Sequence, residues 1–194
     1  MTNSTGLYLI LAAGFARRFG SPKLLHPLPT GITIIDSTIL ALQSSDYEFV
    51  VVIREDDTAI SNHLKSQSIK TIKVTNAHQG LSSVMAEATR KLDLNRFEWL
   101  GICLGDMPYI QSKTLKALPN HISNNTIVRP RHLNQVGHPV LFGRKFFSEL
   151  IKLEGDFGAK EIIQSHSESL NIIGVEDAMV LHDIDEAKDI IKPN

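Results

Sequence analysis

The apolar run from Leu7 to Ala13 stops at Gly14, and Arg17, Arg18 and Lys23 follow almost at once. A short run without polar alternation suits a strand covered on both faces, and such strands belong to parallel sheets held between helical layers. The segment after the strand is equally restrictive. Two glycines, Gly14 and Gly20, stand among three cations. A glycine turn frees backbone N–H groups that can cradle phosphate, and the cations neutralise it.

Two common phosphate motifs do not fit this stretch. The dinucleotide fingerprint requires G-x-G-x-x-G, whereas Gly14 is followed by Phe15 and Ala16. The Walker A loop fails because Gly14 and Gly20 are one residue too far apart and Ser21-Pro22 separates the second glycine from Lys23. The remaining pattern, L-A-A-G-x-x-x-R-x-G-x-x-K, resembles the signature of nucleotidyltransferases that move a nucleoside monophosphate from an NTP to a phosphorylated acceptor. An ordinary strand–turn–helix entry with surface cations is the alternative.

Along the chain, apolar runs and helical spacings alternate. Strands are expected over 7–13, 49–53, 70–74, 99–104, 126–128, 140–142 and 170–175. Helices are expected over 34–42, 58–67, 81–92, 112–118 (capped by Ser112), 146–153, 159–165 and 187–191. The alternation implies a single α/β domain over 1–194, Rossmann-like and three-layered, with a mainly parallel central sheet. Ligands bind such sheets outside the carboxyl ends of the strands. Gly14, Arg18 and Lys23 come after the first strand, Gly80 and Ser82 after the third, and Asp106 after the fourth, so all should lie along one edge.

Bulk properties narrow the ligand. The 194 residues, 42% hydrophobic and 21% charged, carry a formal net charge of −1. That balance gives no field to attract nucleic acid or an anionic membrane, so anion binding must be local. Cys103 is the sole cysteine, which excludes an intramolecular disulfide or a thiolate metal cluster. Neither a signal-peptide pattern nor an apolar span of membrane length is present, and a soluble, cytoplasmic protein is expected.

Asp106 ends the apolar strand WLGICL, where Gly105 leaves room for a ligand and a hard oxygen donor suits Mg²⁺. Read alone, it could equally be a turn aspartate before Pro108. Asp183-Ile184-Asp185 offers two carboxylates which, on an extended segment, share one face. Asp185 could instead cap the last helix. His138, between Gly137 and Pro139, could face an acceptor pocket or be an ordinary turn histidine. In Gly155-Asp156-Phe157-Gly158-Ala159-Lys160, Asp156 reads as structural, and Lys160 as either a helix cation or a phosphate ligand.

Taken together, LAAGFARRFGSPKLL, QGLSSVM, LGDMP, GHPVLF, GDFGAK and DIDEAKD resemble, in order, the segments of the molybdenum cofactor cytidylyltransferase family, which is related to the molybdenum cofactor guanylyltransferases. The resemblance implies CMP transfer from CTP to the phosphate of molybdopterin, with release of pyrophosphate. It implies Mg²⁺, or Mn²⁺, as cofactor. By position, Leu11, Ala12, Ala13, Gly14, Arg18 and Lys23 match the NTP-binding loop, Gly80 and Ser82 the base-binding turn, and His138 the binding pocket. Asp106 matches the metal ligand and Asp185 the second one, and Arg18, Lys23 and Asp106 are the implied catalytic residues. Implied partners are the small-molecule substrates and a transient molybdoenzyme or its chaperone. Lys160 stands where relatives commonly carry Arg, and Asp185-Glu186-Ala187 replaces D-T-P. The rival readings are the same chemistry with GTP or another acceptor, and a non-catalytic nucleotide-binding accessory protein for molybdoenzyme maturation.

Overall fold

Strand β1 (Gly6–Leu11) is buried along its whole length. Its alternate side chains feed two cores: Leu7, Leu9 and Leu11 enter one cluster, and Tyr8 and Ile10 the other. The computed structural model describes residues 5–15, 19 and 22–192. On one side of the sheet, α1 (Ile34–Gln43), α2 (Thr58–Ser66) and α4 (Ser112–Ala117) contribute Ile35, Ile39, Ile60, Leu64 and Leu115. On the other side lie α3 (Leu81–Arg90), α5 (Phe147–Leu150) and α6 (Lys160–Ser165), with Val84, Met85, Leu150 and Ile162 facing inward. The result is a three-layer α/β domain.

Among the described residues the sheet has eight strands. In parallel fashion β1 pairs with β2 (Glu48–Arg54) and β4 (Trp99–Leu104), and β2 with β3 (Thr71–Val74). Beyond β4 the order continues through β7 (Val140–Gly143) to β5 (Ile127–His132) and β6 (Gln135–Val136), while β8 (Leu170–Gly174) also pairs with β5. Strand β7 runs antiparallel to β4 and β5, and β8 runs parallel to β5. The carboxyl ends of β1, β3 and β4 therefore share an edge, as the strand–helix alternation implies.

Several local expectations are corrected. Ser112 does not cap α4: Gln111 holds that position without a side-chain cap bond. The buried carboxylate of Asp177 takes over, accepting from the Gln111 N–H at 2.9 Å and from Thr114 Oγ1 at 2.8 Å. The segment 146–153 contracts to a 3₁₀ turn, Arg144–Phe146, followed by the short α5. The closing helix is a single 3₁₀ turn, Ala187–Asp189, capped by Glu186 rather than Asp185. The short strand β6 pairs with β5 across a turn in which Leu133 adopts φ 51°. That pairing obeys no hydrophobic pattern, since both β6 residues are exposed.

Glu87 on α3 fixes the turn that leads from β3 toward Gly80. Its carboxylate accepts from the Thr75 N–H at 2.9 Å, the Asn76 N–H at 3.0 Å and Lys91 Nζ at 2.8 Å. Burial opposes the charge, but Lys91 and the two N–H groups outweigh it and hold the carboxyl below its ordinary value of 4.5. A depressed folded-state pKa adds stability above the unfolded value, and that stability disappears as pH falls through the folded one. Glu87→Gln is therefore expected to cost about 1–2 kcal/mol at pH 7. In chemical denaturation, the gap between variant and wild type should narrow as pH drops below 4.5.

Candidate active site

The strand that ends at Leu11 is continued by backbone bonds on either side. The Ala12 N–H donates to the Val52 carbonyl at 2.8 Å, and the Gly105 N–H to the Leu11 carbonyl at 2.9 Å. Ala12 and Ala13 are buried, whereas Gly14 emerges into solvent. The Gly14 carbonyl accepts from the Arg54 guanidinium at 2.8 Å, and Arg54 also packs 4.6 Å from the centre of the Phe15 ring. Asp56 and Asp57 hold that guanidinium in turn. No sequence signal announces this brace, because Arg54 reads as the polar end of an ordinary strand.

Beyond this loop lies a cavity of about 370 Å³, lined by Ala13, Gly14, Lys23, Gly80, Asp106 and Asp156 among others. Leu11 and Ala12 also border it. Gly80 has φ 104°, and a Cβ there would sit 2.6 Å from the Asp156 backbone, so no other residue fits without displacement. Asp156 accepts from the Leu81 N–H at 2.9 Å at the start of α3. Ser82 sits one residue further on and is buried, and its hydroxyl donates to the Gly158 carbonyl at 3.0 Å. Ser82 therefore braces the 155–158 loop and does not line the cavity. Gly14 contrasts with Gly80: a Cβ on it would meet nothing within 4 Å among the described residues, so their packing does not demand a glycine there.

At the cavity edge Lys23 is almost fully buried, with Nζ 2.7 Å from Asp106 Oδ2 and 3.7 Å from Asp185 Oδ1. The Asp106 backbone is tied to the C-terminal segment, since its carbonyl accepts from the Ile184 N–H at 2.9 Å. Ile184 is itself buried beside Leu28 and Ile34. With Ile184 turned inward, Asp183 and Asp185 turn outward together, and one carboxylate oxygen from each lies within 4.8 Å of the others and of an Asp106 oxygen. Such a trio of hard oxygen donors fits a divalent cation. Burial pushes the Asp106 carboxyl up from its ordinary value; Lys23 opposes this and the neighbouring Asp183 charge reinforces it.

His138 lies elsewhere, on the wall of a second cavity of about 370 Å³ together with Arg129 and Lys160. Its ring is pushed down to about 4, first by burial and then by the Arg129 charge, while the Ile102 backbone and Asp183 act in the opposite direction. A neutral imidazole is thus what this wall presents at neutral pH. Arg18 falls outside the described residues, as does Arg17. Cys103 is buried, and burial pushes its thiol well up, as an inert core cysteine requires. Among the described residues, no helix is long and apolar enough to cross a membrane.

Residues 8–170 match the family described as MobA-like NTP transferase domain. A crystal structure of an Rv0371c homologue from Mycobacterium sp. strain JC1 is 28% identical over 95% of this chain and 92% of its own, with a TM-score of 0.80. The fold is also similar to that of Rv0371c from Mycobacterium tuberculosis H37Rv, 24% identical, with 96% of each chain covered and a TM-score of 0.83. The manganese complex of that protein is 23% identical, with 97% of this chain and 96% of the other covered and a TM-score of 0.80. No curated protein sequence was found to match the chain.

The two glycines at the cavity should behave differently on substitution. Gly80→Ala combines a positive φ with a backbone clash and is expected to cost about 2 kcal/mol or more in thermal or denaturant unfolding. Gly14→Ala should leave stability within about 0.5 kcal/mol of wild type.

Proposed function

The chain belongs to the family of MobA-like NTP transferase domains, and on that basis we propose that it transfers CMP from CTP to the terminal phosphate of molybdopterin and releases pyrophosphate. The observation that carries this reading is the meeting of Asp106, Asp183 and Asp185 within 4.8 Å beside the buried Lys23. It stands at the mouth of a cavity roomy enough for a nucleotide, next to a glycine that leaves open space. The motif series from LAAGFARRFGSPKLL to DIDEAKD supports the choice of nucleotide and acceptor.

Phosphoryl chemistry of this kind asks the protein for positioning and charge neutralisation rather than covalent participation. Asp106, Asp183 and Asp185 would hold Mg²⁺ or Mn²⁺, which when bound supplies positive charge to the triphosphate. An acceptor phosphate oxygen attacks the α-phosphorus; its new P–O bond forms as the bond from the α-phosphorus to the bridging oxygen breaks, and pyrophosphate leaves with that electron pair. The acceptor phosphate is ionised at neutral pH, so no general base is needed. Lys23, together with Arg18, neutralises charge that builds on the departing pyrophosphate. The Leu11–Gly14 backbone and Gly80 let the nucleotide approach closely, because neither glycine offers a side chain to collide with it. His138 is neutral and holds no charge against the phosphates.

The deciding measurement is pyrophosphate release with molybdopterin and Mg²⁺, comparing CTP with GTP, ATP and UTP. CTP-selective release is expected, reduced on the order of a hundredfold or more by Asp106→Ala or Lys23→Ala. Release with GTP alone would keep the mechanism and change the nucleotide. Tight nucleotide binding without release in any combination would overturn the transferase reading in favour of an accessory binding protein.

A further inference from the structure

Among the described residues, three polar side chains line the nucleotide cavity: Lys23, Asp106 and Asp156. The first two neutralise each other, with Lys23 Nζ 2.7 Å from Asp106 Oδ2. Asp156 stands apart from that pair. Its only partner among the described residues is the Leu81 N–H, which donates to Oδ1 at 2.9 Å. A carboxylate offers about four acceptor positions, so Oδ2 is left open to a ligand. Phe157 and Gly158, the next residues of the same loop, turn to the second cavity, which shares Leu81 and Leu104 with this one.

The wall around Asp156 is the turn that leads into α3. A Cβ on Gly80 would sit 2.6 Å from Asp156 Oδ1, so the carboxylate lies directly against the glycine. Ala77, Leu81 and Val84 supply the rest of this wall, an apolar surface that suits a flat ring. Its backbone has little left with which to read the edge of that ring. The Gly80 N–H donates to the Ala77 carbonyl at 3.2 Å, the Gly80 carbonyl accepts from the Val84 N–H at 3.2 Å, and Asp156 holds the Leu81 N–H. An unpaired carboxylate repels a triphosphate, which goes instead to Lys23 and the metal-binding trio, and the base is left for the wall beside Asp156. An acceptor-only group takes an N–H donor there. Cytosine presents an exocyclic amine where uracil presents a carbonyl, and a carboxylate pairs with the amine alone. We propose that Asp156 selects the nucleotide: its open oxygen accepts from the exocyclic amine of the base, which admits CTP and rejects UTP.

This inference rests on the reading of the cavity as the nucleotide site, and is independent of the acceptor. The test is calorimetric titration of the full chain with Mg²⁺·CTP and with Mg²⁺·UTP. Wild type should bind CTP at least about tenfold more tightly than UTP. In Asp156→Asn the amide oxygen can still accept from the Leu81 N–H while its N–H₂ group faces the cavity. CTP binding should therefore weaken and UTP binding strengthen, until the preference is lost or reversed. Asp156→Ser, whose hydroxyl can also accept from Leu81, should lose the preference without a gain for UTP. Thermal unfolding of both variants should match wild type, and a merely structural role would weaken the two nucleotides alike. Equal binding of CTP and UTP to wild type, or an undiminished preference in both variants, overturns the role of Asp156 and leaves the transfer chemistry standing. No binding of either nucleotide to wild type overturns both readings. Pyrophosphate release with molybdopterin separates them: CTP selectivity that depends on Asp156, without any release, overturns the transfer and keeps the assignment of Asp156.

Discussion

Three carboxylates that approach within 4.8 Å repel one another, by on the order of 3 kcal/mol per pair at the effective dielectric of a protein surface and less where water reaches Asp183. The fold tolerates the arrangement because Lys23 is driven into it, 2.7 Å from Asp106. That one ion pair joins the loop after β1 to the loop after β4. The Ile184 N–H, bonded to the Asp106 carbonyl, adds the C-terminal segment to the same point. Three distant stretches of chain therefore depend on a single charge balance, and a divalent cation would relieve the same repulsion that Lys23 relieves.

The second constraint is steric. Gly80 exists at φ 104° against the Asp156 backbone, and from that contact the 155–158 loop is clamped to α3 by the Asp156–Leu81 and Ser82–Gly158 bonds. The clamp gives the two cavities their common wall. Two adjoining chambers of similar volume result, one bordered by carboxylates and a lysine and the other largely apolar with an arginine. The family to which the chain belongs is one of NTP transferase domains.

Much of this is legible in the residues. The parallel centre of the sheet is implied by the apolar runs at 7–13, 49–53 and 99–104, because strands buried on both faces need no polar alternation. Asp106, Gly14, Gly80 and Lys23 come after strand ends, and the common edge of a parallel sheet brings them to one cavity. Asp183 and Asp185 share a face by simple alternation, although only the buried Ile184 between them shows which face it is. Ser82 departs from its expected place because a serine after a strand-end glycine looks the same whether its hydroxyl faces a ligand or the loop behind it. Arg54, Asp177 and Arg129 carry no sequence signal, since their partners lie 40, 66 and 8 residues away across turns that no local pattern announces.

Periodicity and residue type were thus enough to set the layer architecture and the kind of chemistry possible at the strand ends. Both act locally and survive any rearrangement of distant parts. Which charges meet, which hydroxyl turns inward, and that a second chamber opens beside the first were decided by the folded chain alone. Those outcomes depend on ångström-scale contacts between segments far apart in sequence, where burial, repulsion and steric exclusion are settled together.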